Sequence, residues 1–136
     1  MEQKAAKARL VGRVVTNIYD DAFRPFGVKV SQLNILVVTQ HLGVARPAAI
    51  CELLHLDTST LSRNVERMRT NGWLEIVPEP GRSQPFQLTN AGRELIRQAE
   101  PAWHAAQEKA RQVLGDELVQ GLSKPMSELC SAKSHD

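Results

Sequence analysis

This chain has no large excess of positive charge: lysine and arginine outnumber the acids by only two. Any surface for a polyanion must therefore come from local placement rather than from a global field. Cysteine is nearly absent. Cys51 and Cys130 lie far apart, match no metal-ligand spacing such as C-x-x-C, and are too few for a disulfide scaffold, which points to a reducing compartment. No stretch approaches the roughly 20 apolar residues that a membrane span requires. The N-terminal MEQKAAKARLVGRVV is charged from its first turn and lacks the apolar centre of a secretory signal, so a cytoplasmic location is expected. Also missing are a Gly-rich phosphate loop, a nucleophile elbow and paired carboxylates. His41, His55, His104 and His135 share no metal spacing with one another or with acidic residues. These absences argue against an enzyme, against a catalytic residue set, and against a metal or organic cofactor. There are no internal repeats and no low-complexity segments.

What is present reads as globular. Hydrophobic residues make up 42% and charged residues 24% of 136 residues, enough for one ordinary domain spanning 1–136 with a real core. Leu10, Val11, Val14, Val15, Ile18, Tyr19 and Ala22 recur at three- and four-residue steps, predicting a long helix over residues 3–23. Arg24-Pro25-Phe26-Gly27 breaks it. A second helix is expected from Ser31, read as its N-cap, to Gly43, and a short third helix from Pro47 through AAICELL.

The next segment carries the chemistry. After the tight connection His55-Leu56, Asp57 is placed to cap a helix TSTLSRNVERMRTNG that Gly72 ends. Leu61, Val65 and Met68 form its core face, which leaves Ser59, Arg63, Arg67 and Thr70 on the opposite face and Thr60 on the flank. Trp73–Val77 and Phe86–Leu88 read as strands around a turn-rich tip, and Thr89 caps a long helix to about Arg111, interrupted or offset at Pro101. Gly115 separates a last helix near residues 116–130. A short helix, a tight turn, a helix with a polar outward face and then a hairpin make a winged helix-turn-helix, in a mainly α chain with a small β-hairpin wing.

A helix entering a major groove needs small hydrogen-bonding residues near its N-terminus and longer cations along its exposed face. Ser59, Thr60 and Ser62 suit the first role; Arg63 can fork onto a guanine edge or a phosphate, and Arg67 is better placed for backbone phosphate. Arg82, in PEPGRSQP, sits on the hairpin tip where an arginine can enter a minor groove. The competing readings are a solvated polar face, an exposed loop arginine, and a winged helix used for protein contact. Trp73 and Trp103 read as packing anchors.

The run LLHLDTSTLSRNVERMRTNGWLEIVPEPGRSQPFQLTNAGREL resembles the recognition helix and wing of the MarR family of transcriptional regulators. It carries a Ser/Thr-rich helix, the exit Gly72-Trp73-Leu74, and Leu88-Thr89-Asn90-Ala91-Gly92 at the end of the wing, with Arg82 six residues before Leu88. The resemblance implies double-stranded DNA as partner and a homodimer. Residues 1–30 and 93–136 would supply dimerisation helices, and 31–92 the winged helix-turn-helix. It further implies repression at a pseudo-palindromic operator, relieved by a small aromatic or phenolic effector near Arg13, Tyr19 and His41. Apolar stripes that include Leu95, Ile96, Val113, Leu114, Leu118, Val119, Leu122, Met126 and Leu129 independently suggest a partner subunit. One departure is visible: where the family carries an Asp two residues before the wing arginine, this chain has Pro80 with Glu79 beside it. Pro78, Pro80 and Pro85 are expected to hold the tip instead. Redox-switching members resemble a pattern with a cysteine in the first helix; here that helix has none, so Cys51 is expected to pack as a small hydrophobe and Cys130 to have no role.

Overall fold

The computed structural model describes the backbone of residues 2–115 and the side chains of residues 5–115. The expected helix near 116–130, with Leu118, Val119, Leu122, Met126, Leu129 and Cys130, lies outside the described residues. The described part forms two compact units, one joining residues 2–30 to 99–115 and the other comprising Ser31–Gln98.

In the first unit, helix α1 runs Glu2–Phe23, and its apolar stripe behaves as the periodicity requires: Ile18, Tyr19 and Phe23 are buried. A 3-10 turn, Arg24–Phe26, follows, because Pro25 fits a first-turn position that needs no amide hydrogen. Gly27, at φ +69, ends that turn with its N–H donated to the Arg24 carbonyl. Helix α5 spans Asn90–Leu114. It is one continuous element, which corrects the expected break at Pro101. Pro101 is exposed and forfeits one hydrogen bond, while Ala99, Ala106 and Ala110 on either side of it are buried on one face and favour continuation of the helix.

Helix α2 spans Val30–Leu42. It begins one residue before Ser31, so Ser31 is in the first turn and is not the cap. The Val30 N–H instead donates to the Asp20 carboxylate at 2.8 Å, a charged acceptor that also complements the positive end of the helix. Within the second unit α2 is apolar around much of its circumference: Leu33, Ile35, Leu36 and Val38 are buried. Thr39, fully buried, satisfies its hydroxyl on the Ile35 carbonyl at 2.7 Å. Gly43, at φ +79, stops the helix.

Strand β1, Val44–Ala45, is an addition to the expected elements. Helix α3, Pro47–Leu54, follows with Pro47 in its first turn and packs on α4, Thr58–Thr70, to make the helix-turn-helix. Strands β2, Leu74–Ile76, and β3, Phe86–Leu88, complete an antiparallel sheet of order β1-β3-β2, with Ile76 and Ala45 both registered on Phe86. The architecture is mainly helical with a small antiparallel sheet.

Candidate nucleic-acid interface

The recognition helix α4 is held at both ends by local chemistry. At its start, Asp57 is extended and its Oδ1 accepts the Thr60 N–H at 2.6 Å and the Ser59 hydroxyl at 3.0 Å. Hydrogen bonds from Thr60 first, then from Ser59, with the charge of Arg63 adding to them, hold the Asp57 carboxyl below its ordinary value. At its end, Gly72 at φ +82 donates to the Arg69 carbonyl and Trp73 donates to the Met68 carbonyl at 2.9 Å, the two bonds of a Schellman motif. That exit throws the chain directly into β2.

Between these ends the helix is sided as its spacing predicts. Leu61 and Met68 are buried and Val65 is half-buried, while Ser59, Ser62, Arg63, Arg67 and Thr70 are exposed and Thr60 is half-buried on the flank. Two of the polar candidates have local duties. The Ser59 hydroxyl donates to Asp57, leaving its lone pairs to accept, and the Thr70 hydroxyl donates back to the Glu66 carbonyl.

The wing closes through the pairing of β2 with β3, extended by the Val77 N–H donated to the Pro85 carbonyl at 2.8 Å. Of the three prolines expected to hold the tip, Pro85 is buried, whereas Pro78 and Pro80 are exposed. The additional tie is ionic: Arg46 Nη2 lies 3.0 Å from Glu79 Oε1. Gly81, at φ +107, turns the tip, and Arg82 beside it is exposed.

The cations of Ser31–Gln98 are all arginines, and they fall into two groups. Arg46, Arg69, Arg93 and Arg97 each hold a side-chain partner: Glu79, Glu66, Asn90 and Glu94. Arg63, Arg67 and Arg82 form no hydrogen bond or ion pair among the described residues, and all three are exposed. The unpaired arginines of this unit are thus those on the outward face of α4 and on the wing. Arg46 escaped the sequence reading; a cation directly before Pro47, in backbone that proline keeps extended, was the available signal.

The residues expected near an effector fall in different units, Arg13 and Tyr19 in the first and His41 in the second. Arg13 is exposed. Tyr19 is buried, its ring 6.1 Å from that of Phe23; burial pushes its hydroxyl up, with Arg111 opposing. Nε2 of His41 is buried without a hydrogen-bond partner among the described residues. Cys51 is half-buried and free, and no group of metal-ligating side chains occurs among the described residues. No described helix is long and apolar enough to cross a membrane.

Residues 26–83 match the sequence model of the MarR family. Among curated proteins, the multiple antibiotic resistance protein MarR of Salmonella typhimurium is 23% identical over 114 residues, covering 81% of this chain and 79% of its own. The HTH-type transcriptional regulator PecS of Dickeya dadantii is 29% identical over 91 residues, covering 63% of this chain and 55% of its own. Among solved structures, a mutant MarR from E. coli complexed with operator DNA superposes with a TM-score of 0.78 at 17% identity, covering 92% of this chain and 91% of that one. The M. tuberculosis transcriptional regulator MOSR in complex with DNA gives a TM-score of 0.75 at 25% identity, covering 96% of each chain. The recognition helix, the wing and these likenesses agree with one another, and together they support a MarR-family winged helix-turn-helix transcriptional regulator.

Proposed function

We propose that the protein is a sequence-specific, DNA-binding repressor that works as a homodimer on a pseudo-palindromic operator and has no catalytic role. The observation that carries this reading is the division of the arginines. Arg63, Arg67 and Arg82 stand exposed and unpaired on the two elements that a winged helix presents to a duplex, while the other arginines of that unit are engaged. Ser59, Thr60 and Ser62 at the start of α4 approach base edges or phosphates, Arg63 reads a base edge, Arg67 grips backbone phosphate, and Arg82 enters the adjacent minor groove. Relatives of this fold have been solved with DNA, and repression by dimers is typical of the family.

Residues 1–30 and 93–136 supply the dimer contacts in this reading, and 31–92 the DNA-binding lobe. Exposed Leu10 and Val113 support it, since apolar side chains 59% and 57% accessible on long terminal helices favour a partner. Release by a small aromatic or phenolic effector is the corresponding reading of Arg13, Tyr19 and His41, supported by the unpartnered buried Nε2 of His41.

The test is to sequence the chromosomal DNA that co-purifies with the protein and titrate the recovered duplex against it at several salt concentrations. Three arginines per subunit bring six cations to the duplex in a dimer, each displacing about one condensed counterion whether it meets a phosphate or a base edge. Affinity should therefore fall about a thousandfold between about 50 and 200 mM salt. A flat salt dependence would favour a winged helix that binds protein.

A further inference from the structure

The wing is tied to the far side of its own sheet. Glu79 follows β2 on the ascending limb of the wing, and Arg46 follows β1 immediately before α3. Because β3 lies between those strands, the Arg46–Glu79 pair spans the sheet and joins residues 33 apart in sequence. The two side chains are 55% and 33% accessible, with Nη2 and Oε1 at 3.0 Å. Arg82, three residues beyond Glu79, has no hydrogen bond or ion pair among the described residues.

Two physical consequences follow. Beyond β2 the limb is anchored where Val77 donates to Pro85, and among the described residues Pro78, Pro80 and Gly81 add no backbone hydrogen bond, so the pair supplies a restraint that the ladder does not. It also occupies the carboxylate nearest in sequence to the wing arginine. A freed Glu79 would be a competing anion for Arg82 and would set a negative charge against the phosphates of a duplex.

We propose that Arg46 is a positioning residue for the wing: by holding Glu79 it fixes the first limb and leaves Arg82 unpaired for the duplex. This rests on the DNA-binding reading above and gives to an ion pair the role that the prolines of the tip were expected to fill. Arg46 acts through Glu79 and Arg82, and its own contact with DNA is not part of the mechanism.

The experiment is a double-mutant cycle on the full chain, titrating the duplex recovered from co-purified chromosomal DNA at fixed salt. Arg46→Ala is expected to weaken binding about three- to fivefold per half-site, the scale of an exposed ion pair. In that background Arg82→Ala should cost much less than in the wild type, because Arg82 is already misplaced. The charge swap R46E/E79R rebuilds the pair in reverse. It should recover wild-type affinity to within about twofold and restore the full cost of Arg82→Ala. A swap that binds as weakly as Arg46→Glu alone would show that Arg46 meets phosphate itself and would overturn the proposal. So would an Arg82→Ala cost that is unchanged in the Arg46→Ala background. If the wild type binds duplex and Arg46→Ala binds equally well, the proposal alone fails; if the wild type binds no duplex, the DNA-binding reading fails with it.

Discussion

Gly92 lies against the backbone of Trp73 so closely that a Cβ on residue 92 would sit 2.2 Å from the Trp73 carbonyl oxygen. That oxygen also accepts the Thr89 N–H at 3.0 Å, while the Thr89 hydroxyl donates to the Gly72 carbonyl and accepts the Gly92 N–H. The Leu88-Thr89-x-x-Gly92 motif is therefore a clasp. It binds the exit of the recognition helix to the return of the wing, and its glycine is required by contact distance rather than by a left-handed backbone.

Gly92→Ala is accordingly expected to destabilise the protein by about 1–3 kcal/mol, the usual cost of forcing a methyl into a filled space. The obstacle is a backbone carbonyl, which cannot rotate away as a side chain would. Denaturant unfolding should show the loss, and Gly12→Ala, where a Cβ would meet nothing within 4 Å, serves as the control.

The capping carboxylate of Asp57 makes a pH prediction. Its folded value is depressed by the hydrogen bonds from Thr60 and Ser59, so it contributes stability that is fully present above the unfolded value near 3.8. That contribution is lost as the pH falls through the still lower folded value. Thermal unfolding followed from about pH 6 to about pH 3 should show wild type losing more stability than Asp57→Asn, which keeps a neutral acceptor. Parallel curves would remove Asp57 from the account of acid sensitivity.

Arg63→Ala and Arg82→Ala should weaken DNA binding in different ways. Loss of a base-edge fork from α4 is expected to cost about 1–3 kcal/mol per half-site and to relax preference at one base pair. Loss of the wing arginine removes a reader of groove width and potential, so affinity should fall with a smaller, broader change in preference. Neither side chain is buried, and both variants should keep the wild-type melting temperature. A titration against operators carrying single base-pair changes separates the two; wild-type behaviour of Arg63→Ala across that series would mean that α4 is not the reading element.

The apolar surface of the terminal helices predicts the assembly. Light scattering at micromolar concentration should return twice the 15.1 kDa chain mass. Val113→Glu, placing a charge at a side chain 57% accessible in the single chain, should shift the population toward monomer and lower operator affinity with it. A monomeric wild type that binds operator tightly would overturn the dimer.

Much of the framework was legible in the residues because it rests on short-range chemistry. The Asp57 cap, the Gly72 exit, the Leu61–Met68 core face and the Thr89 cap each depend on neighbours within a few positions. The outward face carrying Arg63 and Arg67 followed from the same helical spacing. The tertiary structure decided what depends on distant partners. Asp20 displaced Ser31 as the cap of α2 from ten residues away, since a carboxylate carried on another helix outcompetes a nearby hydroxyl. Strand β1 is two residues long, too short to show an alternating pattern, and exists because β3 offers it an unpaired edge. Pro101 reads locally as a break, yet α5 continues through it, with Ala99, Ala106 and Ala110 buried on either side. The sequence by itself determined which arginines face outward, because helical period and turn chemistry are local. Three of the engaged arginines are paired locally too, Arg69, Arg93 and Arg97 each with a residue three positions earlier on its own helix. The pairing of Arg46 was decided by the tertiary structure, because a sheet brings Glu79 within 3.0 Å of it.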